Sequence, residues 1–122
     1  MKTIVFLLLL LIVLNTFQLF AQKASDYRAA AERGNAEAQY NLGLCYEKGD
    51  GVEENYYQAV YWYKKAAERG YIDAQFNLGV CYDYGKGVEQ DYVQAAYWYK
   101  KAAEQGDAMA KEALQTLEEA LQ

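Results

Sequence analysis

The fold is decided by NAEAQYNLGLCYEKGDGVEENYYQAVYWYKKAAERG (residues 35–70), which is followed at once by YIDAQFNLGVCYDYGKGVEQDYVQAAYWYKKAAEQG (residues 71–106). The two stretches agree at 23 of 36 aligned positions, so each residue has a counterpart 36 places along the chain. Identity at that level over a fixed period indicates a repeat protein, whose units pack against their neighbours. The period extends into the flanks, because residues 27–34 align with the end of the unit and residues 107–117 align weakly with its start.

Each unit contains two helical stretches separated by a loop with two glycines. Asn35 and Asn55 stand where helices begin, and asparagine caps a helix by accepting a hydrogen bond from a main-chain N–H. Gly49 and Gly51 follow the first helix, where glycine permits a left-handed C-cap and a tight turn. In all, the pattern predicts six helices, over residues 25–33, 36–48, 56–69, 72–84, 92–105 and 108–121.

The second helix of the unit has the clearest periodicity in the chain. Ala59, Trp62, Tyr63, Ala66 and Ala67 fall at i, i+3, i+4, i+7 and i+8, which is one continuous face of an α-helix. The same five residue types recur 36 positions later. Large rings beside alanines predict a helix that packs closely against its neighbours.

Two glycines, Gly43 and Gly79, fall inside the first helix of each unit. Glycine in a helix interior costs about 1 kcal/mol relative to alanine. We therefore expect a bulky Trp or Tyr ring of the partner helix to lie over each glycine.

The N-terminus has the features of a secretory signal peptide. Lys2 provides a positive charge, residues 4–14 are an unbroken apolar run, and Leu19-Phe20-Ala21 ends on a small residue. Polar residues interrupt the apolar stretch before it reaches the ~20 residues that a membrane span needs. We predict cleavage between Ala21 and Gln22, with an uncleaved membrane anchor as the alternative.

The predicted domain organisation follows from the period and the leader. It consists of a signal peptide (1–21), an N-terminal half-repeat helix (22–34), two repeats (35–70 and 71–106) and a C-terminal capping helix (107–122). The capping helix keeps Ala110, Leu114 and Leu117 on its inner side and is polar elsewhere, as the end of a repeat array requires.

Charge and composition exclude several classes of function. Cleavage would remove one lysine and no acid from a chain of net charge −5, so the mature chain carries about −6. Backbone-directed nucleic-acid binding needs a basic surface, which argues against that partner. Because the chain has no histidine, Ser–His and Cys–His catalytic arrangements cannot be built, and a zinc site lacks ligands. We therefore predict no enzyme activity, no metal and no cofactor.

The two cysteines, Cys45 and Cys81, occupy the same position in successive units. Packed helices lie ~8–10 Å apart, whereas a disulfide needs Cα atoms within ~7 Å. We predict two free, buried thiols.

The two repeated blocks, AQYNLGLCYEKGDGV and NYYQAVYWYKKAAERG, strongly resemble the Sel-1-like repeat, a relative of the tetratricopeptide repeat. The resemblance covers residues 34–106 completely. It implies an all-α fold, an α/α right-handed superhelix of helix-turn-helix repeats. It also implies a scaffold for protein–protein contacts, often in bacterial export and envelope settings, so we expect a periplasmic or secreted protein that does not contact the membrane after signal cleavage.

By resemblance to tetratricopeptide arrays, a second stripe on the first helix of each unit would line the concave groove. The candidate partner-binding residues are Glu37, Tyr40, Leu44, Glu47, Asp73, Phe76, Val80, Asp83 and Tyr84, with Lys48 at the position that Tyr84 has in the second unit. An apolar centre flanked by carboxylates suits a protein or peptide with apolar anchors and basic residues. Alternatively, the large members of this stripe simply pack between adjacent repeats.

The resemblance also brings a rival function. Certain cysteine-rich Sel-1-like proteins are described as β-lactam-binding or weakly β-lactam-hydrolysing. They have paired cysteines within each repeat, whereas this chain has one per repeat and no SxxK motif. The prediction is an exported, non-enzymatic adaptor, with a β-lactam hydrolase and a membrane-tethered adaptor as alternatives.

Overall fold

A computed structural model describes the whole chain from Met1 to Gln122 as six α-helices and no strands. The helices are α1 (Lys2–Glu32), α2 (Ala36–Lys48), α3 (Tyr56–Glu68), α4 (Ile72–Tyr84), α5 (Tyr92–Glu104) and α6 (Ala108–Ala120). Each helix packs against the next along the chain. The result is the predicted all-α solenoid of helix-turn-helix repeats.

Helices α2, α3 and α5 begin at side-chain caps, whereas α4 begins after Tyr71, whose side chain makes no capping hydrogen bond. The Asn35 side chain accepts a hydrogen bond from the main-chain N–H of Ala38 at 2.8 Å, and Asn55 caps α3 in the same way. At the other end, α2 ends at Gly49 and α4 at Gly85, with φ of 72° and 68°. Both values lie in the left-handed region that glycine enters without steric cost, so the turns are fixed by the sequence.

Helix α1 differs from the predicted helix over residues 25–33, because it begins at Lys2 and is continuous to Glu32. No glycine or proline lies in this span, so nothing interrupts the helix where the apolar run gives way to polar residues. Residues 2–20 are exposed, whereas Ala24 and Ala31 are buried against the array. By length and composition, α1 is able to cross a membrane, and a signal sequence has the same properties.

The glycines inside α2 and α4 lie under tyrosine rings, as predicted. A Cβ atom at Gly43 would lie 2.6 Å from two ring atoms of Tyr63, and one at Gly79 would lie 2.6 Å from the ring of Tyr99. Both tyrosines are almost completely buried. The helices of each unit can therefore approach closely only because these positions have no side chain.

The tryptophans join each unit to the one before it. Trp62 packs in a cluster with Ala31 of α1 and with Ala38 and Leu42 of α2. Trp98 belongs to the central cluster, which is built largely from α3 and α4. Both indole rings are buried, so the hydrophobic core follows the axis of the array from unit to unit.

The two cysteines are free and buried, as predicted. Burial raises the pKa of both thiols, that of Cys81 to about 12. At neutral pH they are small apolar side chains in the core rather than reactive groups.

Both ends of the array carry polar side chains where the repeats have core residues. Gln115 of α6 stands at the position of Gly43 and Gly79 and is exposed. In α1, Lys23 and Asp26 stand at the positions of Ala59 and Trp62. These replacements put polar side chains where a further repeat would pack, which is what terminal repeats require.

Candidate protein-binding surface

The predicted partner-binding residues fall into two groups by their exposure. Glu37 and Asp73 lie exposed on the first turns of α2 and α4, and Tyr84 is 69% exposed at the end of α4. The remaining six are half-buried, and they are Tyr40, Leu44, Glu47, Phe76, Val80 and Asp83.

The large half-buried residues pack against aromatic rings of their own unit, and Tyr40 also packs against Tyr71 of the next. The Tyr40 ring lies 5.8 Å from that of Tyr63 and 5.2 Å from that of Tyr71, measured between centroids. Phe76 lies 5.8 Å from Tyr99 in the same arrangement. These contacts belong to the core, so the stripe combines a packing function with a partly exposed surface.

Two of the predicted carboxylates are hydrogen-bonded to the buried tyrosines. The Tyr63 hydroxyl donates to Glu47 Oε2 at 3.2 Å, and the Tyr99 hydroxyl donates to Asp83 Oδ2 at 3.0 Å. Burial and these carboxylates raise the pKa of both tyrosines well above the usual value. Glu47 and Asp83 therefore hold in place the rings that lie over Gly43 and Gly79.

A groove of about 320 Å³ lies between α4 and α6. Four predicted residues line it, namely Phe76, Val80, Asp83 and Tyr84. Tyr99 of α5 and five residues of α6, Met109, Glu112, Ala113, Thr116 and Leu117, complete the lining. The centre is apolar, and Asp83 and Glu112 place carboxylates in its wall.

Sequence reasoning missed the α6 side of this groove. Met109, Glu112 and Thr116 stand 36 residues after Asp73, Phe76 and Val80, so the stripe occurs a third time along the chain. The 36-residue period could have predicted these positions. The residue types differ from those of the earlier units, however, so the stripe is not recognisable by composition.

The nine predicted residues do not all surround one groove. Leu44 instead lines a smaller cleft of about 160 Å³ toward α1, together with Phe20, Lys23, Tyr27 and Lys48 among others. The continuation of α1 before Gln22 supplies Phe20 to this cleft. The broader groove is therefore the one at the C-terminal end of the array.

The repeats are matched by a family model described as Sel1 repeat, over residues 36–71 and 72–107. The chain belongs to the Sel1 repeat family. The matched units have the predicted period of 36 residues and begin one residue later than the predicted ones. Sel1 repeats are helical scaffolds that generally bind other proteins.

Solved structures of three other bacterial proteins are similar to this chain. A protective antigen of uropathogenic Escherichia coli, described as displaying an SLR fold, is 43% identical with a TM-score of 0.73, and the match covers 74% of this chain but 19% of the antigen. A Sel1 repeat protein from Oxalobacter formigenes is 44% identical with a TM-score of 0.72, covering 74% of this chain and 68% of that one. Cysteine rich protein B of Helicobacter pylori is 28% identical with a TM-score of 0.71, covering 75% and 68%. The comparison with curated proteins gives no match.

Proposed function

We propose that this Sel1 repeat protein is an exported, non-enzymatic scaffold that binds a protein segment in the groove between α4 and α6. The observation that carries the proposal is the combination, in one groove, of exposed apolar side chains with carboxylates. Tyr84 and Met109 are 69% and 63% exposed, and Asp83 and Glu112 lie beside them.

The lining indicates the chemistry of the partner. A short helical or extended segment with one apolar anchor would bury its side chain against Val80, Tyr84 and Met109. A lysine or arginine next to that anchor would meet Glu112, and the negative charge of the protein would favour its approach. Asp83 is less available to pair with that lysine or arginine, because it already accepts a hydrogen bond from Tyr99.

Export is supported by the exposed apolar half of α1. Cleavage between Ala21 and Gln22 would leave Ala24 and Ala31, the buried residues of this helix, in the mature chain. The array would then retain its first helix in a periplasmic or secreted protein.

A scaffold rather than an enzyme is supported by the chemistry of the core. The only two thiols are buried, and their raised pKa values disfavour the nucleophilic thiolate. The single-cysteine repeats also differ from those expected of the β-lactam-hydrolysing branch.

Panning a displayed peptide library on the exported protein tests the proposal. Enriched peptides should share an apolar residue next to lysine or arginine, and Tyr84→Ala and Glu112→Lys should each raise the Kd by about tenfold or more, as loss of a central contact does. Glu104→Lys on α5 is the matched control, because it makes the same change of charge at an exposed residue outside the groove. Peptides whose affinity is unchanged by both groove variants would contradict this assignment.

A further inference from the structure

A second cavity, of about 440 Å³, lies on a different part of the array from the α4–α6 groove and shares no residue with it. It is bounded by the C-terminal ends of α1 and α3 and by the start of α2. Its lining residues are Ala31, Glu32, Gly34, Gln39, Tyr61, Trp62, Lys65, Glu68 and Arg69. The volume is within the range of about 300–1,000 Å³ that small-molecule sites have.

Two lining residues are deeply buried and hold a polar atom without a partner. Gln39 is 4% exposed and Trp62 is 6% exposed. The Gln39 amide nitrogen donates to the carbonyl of Ala31 at 3.1 Å, but its Oε1 accepts no hydrogen bond, and the Trp62 Nε1–H finds no acceptor. Buried polar groups are almost always paired, so one orphan acceptor and one orphan donor beside a cavity point to a ligand.

The second unit satisfies one of these two atoms, the glutamine acceptor, within the protein. Eight of the nine lining residues have an identical counterpart 36 positions later, and the exception is Arg69, which is replaced by Gln105. The Gln105 amide donates to Gln75 Oε1 at 2.8 Å and to the carbonyl of Gly70 at 3.0 Å. Gln75 is the counterpart of Gln39, so the second unit satisfies internally the acceptor that the first leaves unpaired.

Arg69 gives the site of the first unit a different chemistry. Its Nη1 lies 3.6 Å from the position that a Cβ atom on Gly34 would take, so the guanidinium reaches toward the start of α2. Lys65 also lines the cavity, with its ammonium 5.2 Å from the centre of the Tyr61 ring. Guanidinium and ammonium groups favour an anion, and a guanidinium can hold a carboxylate with two parallel hydrogen bonds.

The complete donor and acceptor set describes one kind of ligand. Both orphan atoms are covered in this structure, so the ligand would bind with a small movement of the side chains above them. A carboxylate would then satisfy Trp62 Nε1–H and the positive charges of Lys65 and Arg69. A neighbouring nitrogen donor would satisfy Gln39 Oε1, and the carboxylates of Glu32 and Glu68 would favour a positive charge on that nitrogen. We propose that this cavity binds an α-amino acid, either free or as the C-terminal residue of a peptide.

NMR of the two indole N–H groups tests the proposal on the ¹⁵N-labelled exported protein. Trp98→Phe assigns the two signals. Alanine represents the free amino acid, N-acetylalanine represents a peptide C-terminus, and alaninamide is the control that lacks the carboxylate. We expect a saturable shift of the Trp62 signal with alanine, N-acetylalanine or both, little shift with alaninamide, and an unchanged Trp98 signal.

Exchange of the one differing residue supplies the matched variants. Arg69→Gln should abolish the Trp62 shift and raise the Tm, because the new amide would pair with Gln39 as Gln105 pairs with Gln75. Gln105→Arg should make the Trp98 signal respond as well, so that two sites are titrated instead of one. Both variants have a side chain that the other unit already accommodates, and circular dichroism checks that they fold.

Three results would overturn the proposal. One is the absence of a saturable Trp62 shift with either carboxylate probe at concentrations up to about 20 mM, well above a millimolar Kd. Another is an equal shift with alaninamide, and the third is an unaltered shift in Arg69→Gln. None of them bears on the peptide groove, because the two sites have no residue in common.

Discussion

The phenol ring of Tyr63 lies directly over Gly43, and a Cβ atom at that glycine would come within 2.6 Å of two ring carbons. The ring cannot move away easily, because Tyr63 is fully buried and its hydroxyl is hydrogen-bonded to Glu47. The same arrangement of Tyr99 over Gly79 is found in the second unit.

Gly43→Ala should therefore destabilise the protein, although alanine is the better helix former. Overpacking costs about 1–3 kcal/mol, and an approach of 2.6 Å to a buried ring belongs in the upper half of that range. The gain in helix propensity offsets about 1 kcal/mol, so the net loss in the free energy of unfolding should be about 1–2 kcal/mol. In thermal denaturation the Tm should fall by roughly 4–15 °C. Lys64→Ala, at an exposed position of α3, should change the Tm much less. A Tm for Gly43→Ala equal to or above that of the wild type would mean that the Tyr63 ring is free to shift.

Stability should decrease at alkaline pH. Tyr63, Tyr99 and Cys81 all have a raised pKa in the folded state, that of Cys81 about 12 against its usual 9. Above the unfolded pKa of each group the unfolded chain releases a proton that the folded chain retains. These groups therefore leave the free energy of unfolding unchanged below about pH 9. Above about pH 9 Cys81 lowers it, and above about pH 10 the two tyrosines lower it as well, each by about 1.4 kcal/mol per pH unit.

Urea denaturation at a series of pH values between 8 and 11 measures this dependence. In a plot of the free energy of unfolding against pH, Cys81→Ala should reduce the decrease that begins near pH 9. Tyr63→Phe should reduce the slope above pH 10. Stability that is constant up to pH 11 would disagree with the burial of these three groups.

Charge reversal at Asp73 should weaken the binding of a basic peptide without affecting the fold. Asp73 does not line the groove, but it is exposed on the first turn of α4, three residues before the lining residue Phe76, so Asp73→Lys removes an attraction that acts through solvent. We expect the Kd to rise by about three- to tenfold at low salt, mainly through slower association, and the effect to shrink as salt is added. Fluorescence anisotropy with a labelled groove peptide measures the Kd. Equal affinities at low salt for Asp73→Lys and the wild type would remove Asp73 from the binding surface.

Both tryptophans should be shielded from solvent. Trp62 and Trp98 are 6% and 7% exposed, so acrylamide should quench their fluorescence weakly in the native protein and strongly in urea. Trp62→Phe and Trp98→Phe separate the two signals. An indole that is quenched equally well before and after denaturation would lie outside the core described above.

Export should leave a mature chain that begins at Gln22. Mass spectrometry of the protein from a periplasmic extract should show the loss of residues 1–21. Recovery of the intact chain in the membrane fraction would instead support the tethered alternative.

The helices of the two units were predictable because their ends are fixed locally. Asn35 and Asn55 cap through their own side chains, and Gly49 supplies a left-handed turn, so neither signal depends on the rest of the fold. The length of α1 was not predictable in the same way. The predicted boundary between the leader and the first helix lies at Ala21, but no glycine or proline is present there to interrupt α1.

The binding sites were harder to predict, because they depend on which side chains are left over after packing. The resemblance to tetratricopeptide arrays assigns Tyr40 and Phe76 to a groove, but both rings also contact the buried tyrosines, and of the two only Phe76 lines the α4–α6 groove. Nothing in the sequence marks Gln39 as part of a site. Only the structure shows that Gln39 is buried and that its Oε1 lacks a hydrogen-bond partner. The difference between Arg69 and Gln105, one of 13 between the two units, was the available pointer to it.

Polar residues end the stacking of repeats at both termini of the array, Gln115 at one and Lys23 and Asp26 at the other. Between these ends, a further repeat could be inserted. A duplicate of residues 71–106 spliced in after Gly106 would meet the same α5 surface that α6 now covers, and would offer α6 an equivalent one in return. The number of units is thus decoupled from the sequence that terminates them. A lengthened version of the protein can be produced by gene concatenation alone, with no compensating mutation.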